Sequence, residues 1–441
     1  MGAPLNGKLQ SLRPVLIDSE RDFGILMGKL LSASQPLQSK EFLKGRDSQL
    51  EGITKALYQR GRHVLIHGLR GVGKSSLAQT SAFLISEDCD PIIIGCDKNS
   101  SFSTVLREIF DEALNNNPAI SAKVKESSAA IRIGAFTGQH KVSETEGRLG
   151  SDISVNDGAR LIQCLCENLD ASPVIVVDEF DQITSRSEQE LFTNFIKQIS
   201  DRHIEARFIF CGIGESTDAI MAAHASADRY FHSVELGQLA WEARFEIVNE
   251  AANQLGITID RDTVIRIARI SDGFPHYVHF IAEKLFWKVY EARNNGNVTP
   301  QLFAEAMNSA ASSMDMKLRG PYEKATRKYR NDYEAVLWAV ADGHELVRRS
   351  SDIFISYKKI MSSASETALD RRKFNQRINS LKKESHAAIL TGSRQGWYEF
   401  SEKMIRGYVR LKAEQNGVEL ALDHPGYSSV HTDSRSNSED T

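Results

Sequence analysis

The 441 residues are 41% hydrophobic and 25% charged, with 29 Gly and 10 Pro, a globular composition that excludes collagen-like and low-complexity chains and predicts two to four domains. No run reaches the roughly 18 uncharged apolar residues of a membrane span. Five cysteines without a C-x-x-C pair and 12 scattered His give no zinc spacing, so a reduced, cytoplasmic protein with no membrane contact is expected. The net charge of −4 hides an asymmetry: residues 320–412 hold 19 Lys and Arg against 11 Asp and Glu, a basic module on an otherwise acidic chain.

Residues 1–35 have no sustained period and read as a flexible N-terminal arm. Met1-Gly2 is not an acylation signal, because Asn6 stands where that pattern wants Ser or Thr. From Phe42-Leu43-Lys44-Gly45-Arg46 the pattern tightens, and Leu50, Ile53 and Leu57 recur at helical spacing. Five short β-rich runs follow, at 63–67, 91–96, 173–177, 207–211 and 231–236, separated by stretches long enough for crossover helices. Alternating strands and helices predict an α/β domain with a parallel sheet over 36–238. Within it, 121–158 is rich in Ser, Gly, Lys and Glu, carries one β-like piece at 130–136, and reads as a surface insertion.

From 239 to 312 the strands give way to helical repeats, read as a helical lid. Residues 313–330 are polar and charged and read as a linker. Over 331–416 the pattern gives helices at 331–341, 353–361 and 371–383. Two short strands, 387–390 and 397–400, flank a turn at Thr391 to Gly396. Three helices and a hairpin predict a winged helix-turn-helix. The tail, 417–441, is Ser/Asp-rich and reads as disordered and acidic.

The strand ending at His67 runs directly into Gly68-Leu69-Arg70-Gly71-Val72-Gly73-Lys74-Ser75, which fits the phosphate-binding pattern G-x-x-x-x-G-K-[ST] at every position. Glycines in such a loop let successive N–H groups face phosphate oxygens, and the helix starting near Lys74 adds its positive end. Lys74 is expected to reach the β- and γ-phosphates of ATP, and the Ser75 hydroxyl to join the coordination of Mg2+. Downstream, the buried run 173–177 ends in Asp178-Glu179-Phe180-Asp181. That acidic end suits Asp178 to the metal and Glu179 to the hydrolytic water, while Asp181 either extends the cluster or caps a helix over 182–200.

Strand count, motif order and helical lid together resemble the AAA+ and STAND branch of the P-loop ATPases, and within it the origin-recognition (Orc1/Cdc6-like) layout of an ATPase domain followed by a winged helix. The likeness covers about residues 40–412, and its specific motifs are the P-loop and the Asp-Glu strand end. It implies a five-stranded sheet with the P-loop strand central and ATP bound between sheet domain and lid. It also implies that Phe42 and Gly45 lie near the adenine, with Gly68, Arg70, Gly71, Val72, Gly73, Lys74, Ser75 and Ser76 around the phosphates. The polar sensor that such proteins carry after the fourth strand has no clean counterpart here; Ser216 is a weak candidate. Arg229, just before the fifth strand, stands where the family places an arginine finger aimed at a neighbouring subunit, which implies a homo-oligomer. In Gly273-Phe274-Pro275-His276 the family's sensor arginine is replaced by a G-x-P turn, with Pro275 and His276 placed near the nucleotide.

Along the third helix of the basic module, Arg371, Arg372, Lys373, Arg377, Lys382 and Lys383 surround apolar Phe374, Ile378 and Leu381, and Arg394 falls at the wing tip. A winged helix presents such a helix to the major groove, so double-stranded DNA is the expected partner, with binding that weakens with salt. The leading expectation is an ATP-hydrolysing, DNA-engaging switch or remodeller. The alternative is a regulatory ATPase subunit controlling a separate effector protein, such as a nuclease in a bacterial anti-phage defence system.

Overall fold

The computed structural model describes residues 17–86, 89–116, 153–169, 171–213 and 227–422. It divides into two compact units, residues 35–237 and residues 238–441 with 1–34.

The first unit is built on five parallel strands, β1 (His63–Gly68), β2 (Ile92–Gly95), β3 (Val174–Asp178), β4 (Arg207–Gly212) and β5 (Phe231–Leu236), in the order β2-β3-β4-β1-β5. The strand carrying the loop therefore lies between β4 and β5, paired Val64 with Ile209 and Val64 with His232. Strands covered on both faces need continuous apolar runs, and Val64 to Ile66 and Val174 to Val177 are all buried. The Phe102–Asn116, Val155–Leu169 and Arg186–Asp201 helices close one hydrophobic core with the sheet. Phe102, Phe180, Phe192, Phe195, Phe208 and Phe210 interlock there through mostly edge-on contacts at 5.1–6.1 Å. Of the expected insertion, residues 155–158 form the first turn of the Val155–Leu169 helix, and the β-like piece 130–136 lies outside the described residues.

His63 opens β1 fully buried. Its Nδ1 accepts the Phe208 N–H at 3.1 Å, so Nε2 carries the proton and faces Ser200 Oγ at 3.2 Å. Burial holds its pKa down at about 3.

The second unit is helical: Glu20–Leu30, Trp241–Leu255, Arg261–Ile270, Pro275–Ala292, Pro300–Ser313, Met316–Thr326, Arg330–Ala341, Ser350–Ser363, Arg371–Leu381 and Ile405–Gln415. A small sheet of order β6-β8-β7 joins them, from β6 (Arg348–Arg349), β7 (Leu390–Arg394) and β8 (Trp397–Phe400). Three helices and this sheet make the winged helix, with the short β6 as a third strand and β7 lying three residues later than the sequence pattern suggested. Among the described residues no helix is long and apolar enough to cross a membrane.

Two stretches depart from the sequence reading. Residues 20–30, expected as part of an arm, form a helix capped by Ser19 whose buried Phe23 stacks on Tyr290 at 4.3 Å and meets Trp287 edge-on at 5.2 Å. Its short apolar face, Phe23, Met27 and Leu30, is too brief to register as a period. Residues 316–326, expected as linker, form a helix that buries Leu318, Tyr322 and Ala325 at i, i+4 and i+7. Pro321 and the surrounding charge masked that pattern.

The Ile405–Gln415 helix is fastened to the turn between the Arg261–Ile270 and Pro275–Ala292 helices by buried charge. Asp272, in the left-handed conformation (φ 52°), meets Arg410 at 3.0 Å and Arg406 at 3.3 Å. Arg410 also donates to the carbonyls of Ala341, Arg269 and Gly343 at 2.8–3.0 Å, and burial lowers its pKa to about 9. Gly407 is needed for the close approach, since a Cβ there would stand 2.5 Å from the Tyr277 ring.

Candidate nucleotide site and basic surface

At the end of β1 the chain makes a turn that only glycine permits. Gly68 has φ 145°, and a Cβ on it would stand 2.2 Å from the Leu236 carbonyl oxygen of β5. Gly71 and Gly73 take φ of 80° and 96°, and Gly73 is the N-cap of the Lys74–Ile85 helix. The loop thus wraps the N-terminal end of that helix, a geometry suited to anions.

Lys74 folds back over its own loop, its Nζ donating to the Gly68 and Leu69 carbonyls at 3.1 and 2.9 Å. Burial pulls the pKa of this half-buried ammonium below its ordinary value, opposed first by the charge of Asp181 and more weakly by Asp178. Ser75 is half-buried beside it. The Ser76 hydroxyl is engaged elsewhere, accepting the Leu37 N–H at 3.1 Å, and Thr80 donates to the Leu37 carbonyl at 3.0 Å.

The acidic strand end is shaped by Phe180. Its ring is fully buried against Phe192 and Phe210, 5.1 and 5.3 Å away. To let it enter the core, Glu179 takes the left-handed conformation (φ 52°) and stays exposed, its N–H donating to Asp178 Oδ1 at 2.9 Å. A non-glycine residue held there costs about 1 kcal/mol or more, a strain found most often at functional positions. Asp178 and Asp181 are half-buried. Asp181 does not cap a helix: the helix expected from 182 begins at Arg186, capped by Ser185, whose hydroxyl accepts the Glu188 N–H.

Phe42 is half-buried, Gly45 is exposed with φ 66°, and Arg46 next to it is buried. Sequence reasoning passed over this arginine. Its Nη2 donates to the carbonyls of Val72, inside the P-loop, at 3.1 Å and Gly237 at 2.6 Å, with burial lowering its pKa to about 10. The available signal was a Gly-Arg pair directly before a helix; its carbonyl partners lie 26 and 191 positions away and leave no local pattern. Cys211 was passed over as well. It is fully buried near the end of β4, its Sγ 3.9 Å from the Lys74 carbonyl, and burial keeps its thiol protonated by raising the pKa well above normal.

Arg229 is exposed on the short Ala227–Tyr230 helix, 5.9 Å over the Tyr230 ring. Ser216 lies outside the described residues. Pro275 and His276 belong to the helical unit, where Pro275 opens its helix and His276 Nδ1 donates to the Ala33 carbonyl at 2.9 Å.

On the winged helix the seven expected basic contacts divide into two kinds. Arg372, Lys373 and Lys383 are exposed, and Lys382 is exposed with its Nζ 5.7 Å over the Tyr398 ring. Arg394 is exposed, stacked 3.9 Å over Trp397, whose ring Arg349 also approaches at 4.8 Å. Arg371 and Arg377, by contrast, are hydrogen-bonded within the module. Arg371 donates to the Ser350 carbonyl and hydroxyl at 3.0 and 2.8 Å. Arg377 is half-buried, donating through Nη2 and Nε to Asp332 at 2.7 and 3.1 Å. Both guanidiniums thus have partners within the protein, although Arg371 is exposed.

Sheet order, glycine-built loop and acidic strand end define a P-loop ATPase fold. Residues 43–205 match the model of the AAA ATPase domain family. A Holliday junction branch migration complex subunit, RuvB of Myxococcus xanthus, is 26% identical over 242 residues, 47% of this chain and 70% of that protein. Among solved structures, the Walker-type ATPase PABY2304 of Pyrococcus abyssi shares 16% identity with a TM-score of 0.48, covering 85% of this chain and 98% of its own. The Orc1 protein of Aeropyrum pernix in complex with DNA shares 12% with a TM-score of 0.42, covering 92% and 98%. At such identities and scores, what this chain does rests on its own residues.

Proposed function

We propose that the chain binds ATP with magnesium, hydrolyses it through Glu179, and uses the cycle as a switch in engaging double-stranded DNA through its C-terminal module. The observation that carries this reading is the pairing, in one unit, of a glycine-built loop holding a half-buried Lys74 with an acidic strand end whose charge reaches that lysine. The donor set fits the metal: the Ser75 hydroxyl and the Asp178 carboxylate are hard oxygen ligands and would hold it. Held there, magnesium would neutralise charge on the phosphates.

Lys74 releases its two loop carbonyls to meet phosphate oxygens. The N–H groups of Gly68, Arg70, Gly71, Val72, Gly73 and Ser76 line the anion, and Phe42 and Gly45 flank the base. Glu179, turned out to solvent by its backbone, orients the attacking water and accepts its proton at the carboxylate. Exposed Arg229 completes the site of a neighbouring copy in a homo-oligomer. On the winged helix, Arg372, Lys373, Lys382, Lys383 and Arg394 meet phosphates.

Lys74→Ala is expected to abolish ATP binding in equilibrium titration. Glu179→Gln is expected to bind ATP while losing roughly 10²–10⁴-fold in turnover. Wild-type turnover by both variants would sink the reading.

A further inference from the structure

At the junction of the Met316–Thr326 and Arg330–Ala341 helices, Arg327, Lys328, Tyr329 and Arg330 are four consecutive exposed residues, the last of them opening the second helix. Tyr329 is 70% exposed and holds a left-handed backbone (φ 52°). Glycine or asparagine would fill that position at lower conformational cost, and an aromatic ring so open to water adds little to stability through burial.

The ring is nevertheless fixed. The Arg377 guanidinium sits 4.8 Å from the Tyr329 centroid and 5.2 Å from that of Tyr333, and Arg377 is itself anchored to Asp332. His386 extends the ladder, 4.7 Å from Tyr333.

Charge gathers on the same face. Residues 324–330 contain Lys324, Arg327, Lys328 and Arg330 and no acid. Three nearby acids are engaged: Glu323 pairs with Arg319 at 3.0 Å, Asp332 with Arg377, and Glu334 with Arg330 at 3.0 Å and the Tyr322 hydroxyl at 3.1 Å, while exposed Glu384 beside Lys383 leaves the patch net positive. Lys324, Arg327 and Lys328 keep their charge uncompensated by these acids. Lys383 belongs to this surface too: its carbonyl accepts the His386 N–H at 2.9 Å, which sets it beside the ring that packs on Tyr333.

We propose that Tyr329, with Arg327, Lys328 and Lys383 around it, is a platform for single-stranded nucleic acid: an unpaired base stacks on the phenol ring, and the three cations hold the phosphates on either side of it. An open ring steadied by a fixed cation and rimmed by lysine and arginine is what sequence-tolerant strand binding requires. A duplex, whose bases are stacked internally, would leave the ring unused. The platform extends the reading of the C-terminal module as nucleic-acid-engaging, and adds a contact distinct from the Arg371–Leu381 helix face and the wing.

The test uses the full chain and fluorescence anisotropy with two labelled probes, an oligo-dT of about 16 nucleotides and a duplex of the same length. Tyr329→Gly removes the ring and relieves the backbone, so lost binding cannot be laid to unfolding. It is expected to weaken oligo-dT binding about tenfold or more and to leave duplex binding unchanged. Tyr329→Phe should bind like wild type, and Lys328→Gln should lower the salt slope for oligo-dT by about 0.7. An Arg372→Gln/Lys373→Gln double variant should lose the duplex and keep oligo-dT. Equal oligo-dT binding by wild type and Tyr329→Gly overturns the platform, as does a wild type that binds only the duplex; in either case the duplex reading stands or falls on the double variant alone. Binding of polyglutamate in place of oligo-dT, lost in Tyr329→Gly, also overturns it and marks the surface as a site for an acidic protein.

Discussion

Lys74 and Asp272 are both charged groups set into packed protein, one in each unit, and they are surrounded differently. Lys74 rests on two carbonyls of its own loop, with carboxylates acting on it from beyond hydrogen-bond distance. Asp272 lies between two fully buried guanidiniums, and Arg406 and Arg410 spend their remaining donors on backbone carbonyls of Gly343, Glu345, Ala341 and Arg269. The lysine's partners are ones an incoming phosphate can replace. The aspartate's partners are two oppositely charged side chains buried with it in the same unit. The kind of partner, a replaceable loop carbonyl or a buried opposite charge, separates a charge kept for chemistry from one kept for architecture.

Removing one partner from a closed buried pair strands the other charge, which costs about 3–5 kcal/mol. Asp272→Ala strands two. All four tryptophans, Trp241, Trp287, Trp338 and Trp397, lie in the helical unit, so their fluorescence during urea unfolding follows that unit alone. The variant's transition should fall by at least that amount while ATP binding to the other unit persists. A shift within about 0.5 kcal/mol, the range of an ordinary surface substitution, would mean that the clasp is open in solution.

A smaller effect is expected from His63. Its folded pKa of about 3 lies below the ordinary 6.5, so the folded unit binds fewer protons than the unfolded chain between those values. Stability is complete above pH 6.5 and is lost as pH falls toward 3. At pH 5 the loss is about 2 kcal/mol, from a gap of roughly 1.5 units. His279, buried in the helical unit with a pKa lowered to about 4, acts in the same sense there, so the readout must be local. Hydrogen exchange of β1 and β4 at pH 7 and pH 5, compared between wild type and His63→Asn, isolates the term. Asparagine retains an acceptor for the Phe208 N–H and should reduce the pH dependence, leaving the part due to His232 on β5, whose pKa burial also lowers. An unchanged drop would remove His63 as its source.

The same contrast explains what could be read from the sequence. Four strands were legible because each holds a short apolar run and β5 because Phe231, Val234 and Leu236 punctuate a short β-rich stretch, and the loop because its glycines, lysine and serine stand at fixed spacing within eight residues. Partners far apart in sequence left no trace: Asp272 and Arg410 are 138 positions apart, and no periodicity joins them. Arg46 escaped for the same reason. The Met316–Thr326 helix escaped because Pro321 and its charges overrode three apolar positions in a window too short to outweigh them. On the winged helix the sequence located the positive charge but not its use, since composition cannot tell which guanidiniums neighbouring elements already hold.

Arg377 and Arg372 sharpen that last point at the smallest scale. They sit on one helix, five residues apart, and read alike in sequence. Arg377 contributes two hydrogen bonds to Asp332, lies between two tyrosine rings and is half-buried. Arg372 is exposed. Arg377→Gln should cost up to about 1 kcal/mol in the tryptophan-monitored transition, because a paired and stacked guanidinium sits at the upper end of what a partly exposed ion pair contributes. Arg372→Gln should leave that transition within about 0.5 kcal/mol of wild type and show its effect in duplex binding, as a salt slope lower by about 0.9. If instead Arg377→Gln were silent in stability, its pair with Asp332 would be as loosely held as any solvated surface pair, and both arginines would return to the same reading as free phosphate contacts.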